Sequence, residues 1–67
     1  MEITLNNRLE DIPEEIKTIE KLILFKSFTF PRIIVKINGL LIKKPNYPNA
    51  EVNQGDNIEI IHLISGG

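Results

Sequence analysis

The sequence Gly-Asp-Asn-Ile-Glu-Ile-Ile-His-Leu-Ile-Ser-Gly-Gly occupies residues 55–67 and decides how the rest of the chain is arranged. A Gly-Asp turn precedes an apolar, strand-like segment from Asn57 to Leu63. Ile58 and Ile60 alternate with Asn57 and Glu59, which indicates a strand with one face toward a core. We therefore predict that this segment is the last strand of a sheet, and that residues 64–67 lie beyond the domain formed by residues 1–63 as a flexible tail.

The predicted tail, Ile64-Ser65-Gly66-Gly67, is suited to entering a narrow site on another protein. Glycine has no Cβ atom and adopts φ values above zero that other residues avoid. Four extended residues reach about 13 Å at ~3.3 Å per residue. The tail can thus carry a carboxylate at Gly67 away from its own fold and into a partner's active site. The alternative is a frayed terminus without a function.

Composition narrows the class of protein. A chain of 67 residues forms a single small domain, and with no Cys and one His it lacks the disulfides and metals that often stabilise such domains. We therefore expect an intracellular protein with a well-formed apolar core. The net charge of -1 comes from mixed charges and predicts no nucleic-acid partner. No signal peptide and no membrane span are evident, so we expect a cytoplasmic location.

The first half of the chain predicts a hairpin followed by a helix. Ile3 and Leu5 alternate with polar residues, and Asn6-Asn7 suits a tight turn. Residues 8–12 are expected to return as a strand with Leu9 facing inward. Thr18 is a good N-cap for a helix that ends near residue 26 or 27. Its apolar face comprises Ile19, Leu22 and Ile23, and further core volume is expected from Phe25, Phe28 and Phe30.

The second half predicts a second hairpin and a loop before the last strand. Residues 32–37 form the strongest strand pattern, with Ile33, Val35 and Ile37 on one face. Asn38-Gly39 is a strong hairpin signal, and a short strand over residues 40–42 follows it. Residues 43–52 are expected to form a loop with a short helical turn, in which Tyr47 covers the core.

This order of elements predicts an α+β domain. A helix after a hairpin, followed by further strands, covers one face of a single sheet. Pairing the first and last strands in parallel at the centre buries both of them. The expected fold is a ubiquitin-like β-grasp, with a mixed sheet of order 2-1-5-3-4 and one helix packed on one face.

At this point the chain resembles the ThiS-type sulfur carriers of thiamine biosynthesis over essentially its whole length. The features that carry the resemblance are Thr18-Ile19 and Leu22-Ile23 in the helix, Asn38 after the third strand, Gly55-Asp56-Asn57-Ile58 before the last strand, and Gly66-Gly67. Molybdopterin sulfur carriers and ubiquitin-like modifiers share the Gly-Gly and Gly-Asp-x-Ile features. A molybdopterin sulfur carrier and a ubiquitin-like modifier therefore stay open as alternatives. A third alternative is a β-grasp interaction module whose tail is never activated.

The resemblance implies a carrier that is modified by other enzymes and is not itself an enzyme. A ubiquitin-activating-like adenylyltransferase would use ATP and Mg²⁺ to adenylate the carboxylate of Gly67, with Ile64, Ser65 and Gly66 as the tail that enters its active site. A persulfide sulfur donor would then convert the adenylate to a thiocarboxylate, and thiazole synthase would receive the sulfur. No bound cofactor, no metal site and no catalytic residue are expected in the chain itself.

The strand register predicts where partners dock. If Ile58 and Ile60 face the core, then Ile61 and Leu63 point to the opposite face of the sheet. The same alternation sends Ile34 outward. Because the third and fifth strands are expected to be neighbours, we predict an exposed apolar patch at the root of the tail, formed by Ile34, Ile61 and Leu63 and rimmed by Arg32 and Lys36. Contiguous exposed apolar patches usually mark an interface.

Overall fold

A computed structural model describes residues 1–28 and 31–63 of the chain. Its elements, in chain order, are strands β1 (Glu2–Leu5) and β2 (Arg8–Asp11), helix α1 (Ile19–Lys26), strands β3 (Ile33–Ile37) and β4 (Leu40–Ile42), a 3-10 turn (Lys44–Asn46) and strand β5 (Asn57–His62). The predicted order of elements is therefore confirmed, with β2, β3 and β5 each one residue shorter than predicted.

The strands form one mixed sheet in the order β2-β1-β5-β3-β4, as predicted for a β-grasp. β1 and β5 run parallel at the centre, with Leu5 beside Ile58. The other three neighbouring pairs are antiparallel. Parallel pairing of the first and last strands places β5 between two neighbours, so its C-terminal end leaves from the middle of the sheet.

Helix α1 begins and ends at local signals that its sequence carries. Thr18 is the N-cap, and its Oγ1 accepts a hydrogen bond of 3.3 Å from the Lys21 backbone N–H. Ser27 is the C-cap in the left-handed conformation, with φ of 58°. Its backbone N–H is directed to the last-turn carbonyls of α1, which would otherwise lack partners. The predicted N-cap and C-terminal boundary are both confirmed.

One face of the sheet and the inner face of α1 enclose the core. The buried residues of the described chain are all apolar: Ile3, Leu5, Ile12, Ile19, Leu22, Val35, Val52, Ile58 and Ile60. Partly buried side chains that pack against them include Ile33, Ile37, Phe28 and Tyr47. The predicted inward faces of β1, β3, β5 and α1 are thus confirmed, as are the covering position of Tyr47 and the core position of Phe28.

Two predicted core residues face solvent instead. Leu9 is 71% exposed because it pairs with Thr4, which lies on the face of β1 opposite to Ile3 and Leu5. Phe25 is 48% exposed. The position that continues the buried face of α1 belongs to Lys26, and consecutive helix residues lie about 100° apart, so Phe25 is turned away from the core.

Lys26 satisfies its charge on the inner side of the sheet. Its Nζ donates a hydrogen bond of 2.6 Å to Glu10 Oε1. Glu10 lies on edge strand β2 directly opposite Ile3, so it shares the face of the sheet that α1 covers. The edge of the helix–sheet interface is therefore closed by an ion pair, in place of the apolar residue that the sequence pattern favours.

Both predicted two-residue turns adopt left-handed backbone conformations. Asn6 and Asn7 have φ of 51° and 68°, and Asn38 and Gly39 have φ of 50° and 85°. Positive φ at both positions is typical of the type I′ turns that suit the twist of hairpin strands. These turns set the register of both hairpins and so decide which side chains face outward.

Three predictions concern residues outside the described part of the chain. They are the core position of Phe30, the boundary between a domain at residues 1–63 and a flexible tail, and the extended reach of residues 64–67. They stay predictions. Within residues 1–28 and 31–63, no helix is long and apolar enough to cross a membrane.

Candidate functional site

The outer face of the sheet brings together two of the predicted docking residues as a direct cross-strand pair. Ile34 on β3 lies opposite Ile61 on β5. Residues that pair directly across antiparallel strands have their side chains on the same face, with Cβ atoms about 5 Å apart. Ile61 is 44% exposed, whereas Ile34 is half-buried. The pair thus forms an apolar surface on the face of the sheet that α1 leaves uncovered.

Leu63 and Arg32 lie beside this pair, at the end of the β3–β5 ladder. The Leu63 backbone N–H donates a hydrogen bond of 3.0 Å to the Arg32 carbonyl. The Leu63 side chain is 43% exposed, and Arg32 is exposed as well. This backbone hydrogen bond fixes the position of the residue that precedes the predicted tail. We call Ile34, Ile61, Leu63, Arg32 and Lys36 the β3–β5 patch.

Lys36 has neighbours that sequence reasoning missed. It lies opposite Glu59 on β5 and opposite Leu41 on β4. Glu59 places an acidic residue beside Lys36, and Leu41, 53% exposed, extends the apolar surface toward the sheet edge. The Asn38-Gly39 turn carries the signal that finds Leu41, because a two-residue hairpin fixes which residues of β4 oppose those of β3.

The turn after β3 is linked to the start of β5 by side-chain hydrogen bonds. Asn38 Oδ1 accepts a bond of 2.9 Å from the Asn57 backbone N–H, and Asn38 Nδ2 donates one of 3.1 Å to Asp56 Oδ1. Asp56 Oδ2 in turn accepts a bond of 2.9 Å from the Asn53 N–H. The Gly-Asp-Asn segment therefore has a structural role, since it holds β5 in register with β3.

Asn6 supports β5 from the other side. Its Nδ2 donates a hydrogen bond of 3.1 Å to the Ile60 carbonyl, and its Oδ1 accepts one of 2.8 Å from the Ile60 N–H. A side-chain amide thus pairs with β5 in the way a backbone peptide does, where β1 has already turned away. The backbone just before Ile61 is held by both neighbours.

A groove of about 700 Å³ lies between α1 and the β3–β4 side of the sheet. Its lining is mainly apolar, and it includes Ile34 and Leu63 from the β3–β5 patch. Other lining residues are Leu24, Phe28, Leu41 and Tyr47, with Arg32, Lys43, Lys44 and Glu20 as the charged ones. We call it the α1–β4 groove. Partial burial there raises the pKa of the Tyr47 phenol, because the phenolate loses solvation.

The remaining sequence predictions concern metal binding and the tail. No group of three or more His, Cys, Asp or Glu side chains in the described residues is arranged to hold a metal ion. Gly67 and the residues Ile64, Ser65 and Gly66 that lead to it lie outside the described part. Their predicted modification and channel-entry roles remain predictions.

The fold and the patch define a class of protein: a ubiquitin-like β-grasp domain with an apolar surface beside the end of its central strand. The solved structure of a thiamine biosynthesis protein, ThiS, from Geobacter metallireducens has the same fold. Its TM-score is 0.86 at 19% sequence identity, with 100% of each chain covered. The sequence model of the ThiS family matches residues 2–67, and the chain belongs to that family. No curated protein matches the sequence significantly.

Proposed function

We propose that the protein is the sulfur carrier of thiamine biosynthesis, which accepts sulfur as a thiocarboxylate at Gly67. One observation carries this proposal: the ThiS family match extends from residue 2 to residue 67 and so includes Gly66-Gly67. The ordered end of β5 supports it, since Leu63 is held by a backbone hydrogen bond to Arg32 and presents the residues that follow at one defined place on the fold.

Activation answers a chemical problem at the Gly67 carboxylate. A carboxylate is anionic and its oxygen is a poor leaving group, so sulfur cannot replace it directly. Attack of the carboxylate oxygen on the α-phosphate of ATP forms an acyl-adenylate and releases pyrophosphate. A partner adenylyltransferase, with its own ATP and Mg²⁺, would supply that step. The carrier is the substrate of this reaction and needs no catalytic group.

Sulfur transfer then proceeds through an acyl disulfide. The terminal sulfur of a donor persulfide attacks the acyl-adenylate and displaces AMP. A thiolate next attacks the donor-side sulfur of the new S–S bond, forming a disulfide with the donor and leaving the thiocarboxylate on Gly67. Thiazole synthase would take the sulfur from there. The β3–β5 patch is the proposed docking surface for both enzymes, because it joins exposed apolar side chains to the start of the tail.

The test is ATP–pyrophosphate exchange with the cognate adenylyltransferase, combined with intact mass spectrometry of the carrier from its native cell. We expect exchange with the full chain, no exchange after deletion of Gly67, and a mass that shows one oxygen replaced by sulfur. Exchange that persists without Gly67 would refute the carrier role. Normal adenylation with no sulfur delivery to thiazole synthase would instead indicate another acceptor.

A further inference from the structure

The α1–β4 groove has a charge that sets it apart from the whole chain. Its lining includes three cations, Arg32, Lys43 and Lys44, and one acid, Glu20, whereas the chain as a whole has a net charge of -1. In the described part of the chain, none of these four side chains forms an ion pair. The groove therefore offers an apolar lining and unpaired positive charge at the same place, which fits an apolar segment that carries a carboxylate.

The tail of this chain has that chemistry and begins at the groove. Leu63, the last described residue, is itself part of the lining. Ile64 follows it with a large apolar side chain, and Ser65, Gly66 and Gly67 are small. Given the proposed function, Gly67 carries a free carboxylate. An apolar anchor thus stands at the root of the tail and a negative charge at its end.

The distances allow the tail to reach the basic residues. β5 and β4 are separated by β3 alone in the sheet, so they lie about 10 Å apart at ~4.8 Å per strand spacing. Lys43 follows β4 directly. Four extended residues span about 13 Å. The tail is therefore long enough to cross β3 and to bring Gly67 beside Lys43 and Lys44.

We propose that in the free carrier residues 64–67 fold back into the α1–β4 groove, with Ile64 against its apolar lining and the Gly67 carboxylate beside Lys43 and Lys44. Ordering four residues opposes this docking, so the tail exchanges between bound and released positions. Ile34, Arg32 and Leu63 belong to both the groove and the β3–β5 patch. A partner on the patch therefore competes with the docked tail and releases it, and until then the docked tail shields its reactive end.

Paramagnetic relaxation tests the proposal directly. The chain contains no Cys, so Ser65→Cys gives a single site for a nitroxide label in ¹⁵N-labelled protein. Arg8 on β2 lies at the level of Ile58, whereas Ile42 on β4 lies at the level of Ile60, nearer the start of the tail. The two sides of the sheet are therefore not equivalent, and the reference is the same amide in a variant whose groove charge is reversed. A docked tail relaxes the amides of Ile42 and Tyr47, which line the groove, several-fold more in the wild type than in that variant.

Two pairs of Lys→Glu variants and a mixture of separately labelled molecules provide the controls. Lys43→Glu with Lys44→Glu should lower the relaxation of the Ile42 and Tyr47 amides several-fold. Lys17→Glu with Lys21→Glu, the same charge change at exposed lysines elsewhere, should leave that relaxation unchanged. Equal relaxation of these amides in the wild type and in the Lys43→Glu, Lys44→Glu variant overturns the proposal. Relaxation of ¹⁵N-labelled protein by separate, nitroxide-labelled molecules would assign the groove to a second copy. None of these readouts depends on adenylation, so they fail or succeed independently of the proposed function.

Discussion

Ile34 and Ile61 lie directly opposite each other on β3 and β5, on the face of the sheet that the helix does not cover. Nothing in the core requires an apolar pair there, because Val35 and Ile60, the next pair along the ladder, already face inward and are buried. Exposed apolar side chains gain free energy when a partner covers them, by roughly 1.5–3 kcal/mol for a fully buried side chain. This pair is therefore where docking energy is expected to concentrate.

Ile61→Asp should weaken binding to the adenylyltransferase and to thiazole synthase by about tenfold or more, since ~1.4 kcal/mol corresponds to tenfold in affinity. Calorimetry measures the affinity, and circular dichroism checks the fold. Phe25→Asp is the matched control, because Phe25 is 48% exposed against 44% for Ile61 but lies on α1. Full-strength binding by folded Ile61→Asp protein would exclude the patch as the docking surface.

The second prediction concerns the width and backbone conformation of the tail. Gly66→Val should lower the rate of ATP–pyrophosphate exchange with little change in thermal stability, because a β-branched side chain widens the tail and restricts φ. Gly55→Val, the control, should lower thermal stability and leave the rate of ATP–pyrophosphate exchange nearly unchanged. Gly55 has φ of 84°, so a side chain there strains the fold by about 1–3 kcal/mol while leaving the tail intact. Wild-type exchange by Gly66→Val protein would contradict the narrow-channel argument.

The sequence predicted the sheet well because each strand carries a local signal. Alternation in β1, β3 and β5 identified the core faces, and Asn6-Asn7 and Asn38-Gly39 identified the turns. Leu9 and Phe25 were assigned wrongly because both are apolar residues whose direction depends on a partner. Pairing with Thr4 turns Leu9 outward, and the Glu10–Lys26 ion pair takes the place at the core edge that Phe25 was expected to fill.

The candidate site was predictable only where strand alternation decides it. The outward direction of Ile34 and Ile61 follows from the inward direction of their neighbours. The α1–β4 groove was not predictable, since Leu24, Phe28, Leu41 and Tyr47 come from three separate parts of the chain and meet only after α1 packs on the sheet. The positive charges of Lys43 and Lys44 indicate a binding site only once that packing is known.

The Glu10–Lys26 pair should contribute measurably to stability. The two side chains are each 27% exposed, and their charged atoms lie 2.6 Å apart. Exposed ion pairs contribute about 0–1 kcal/mol, and partial burial favours the upper part of that range. A double-mutant cycle with Glu10→Gln and Lys26→Met in urea unfolding should give a coupling free energy of about 1 kcal/mol, reduced in high salt. Lys21→Met is the control, since Lys21 forms no ion pair within the described residues. Zero coupling between Glu10 and Lys26 would show that packing alone places Lys26.

Tyr47 should make stability fall at high pH. Burial raises the pKa of its phenol because the phenolate loses solvation. The folded protein therefore holds this proton at pH values where the unfolded chain has released it. The resulting stabilisation is complete below about pH 10, the ordinary tyrosine pKa, and is lost as pH rises through the folded-state pKa. The free-energy difference between wild type and Tyr47→Phe should thus move in favour of the variant as pH rises above 10. A difference that is constant across this range would place the phenol in full contact with water.

The last prediction separates the two roles of Asn38. Its φ of 50° suits glycine or asparagine, and its side chain forms hydrogen bonds with Asp56 and Asn57. Asn38→Gly keeps the conformation and loses the hydrogen bonds, at about 0.5–1.5 kcal/mol each. Asn38→Ala also loses both hydrogen bonds. It costs roughly 1–2 kcal/mol more, because a residue with a Cβ atom is strained in the left-handed conformation. Urea unfolding should therefore rank wild type above Asn38→Gly and Asn38→Gly above Asn38→Ala.

Asn7 is the control for Asn38, because it has φ of 68° in the other hairpin and its side chain forms no hydrogen bond within the described residues. Asn7→Gly should be close to neutral and Asn7→Ala should show the conformational cost alone. Amide exchange adds a local readout, since the Asn57 N–H donates to Asn38 Oδ1 at the first residue of β5. We expect faster exchange at Asn57 in both Asn38 variants and in neither Asn7 variant. Unchanged exchange at Asn57 would mean that backbone pairing with β1 and β3 is enough to hold the start of β5 and that the Asn38 side chain is not needed there.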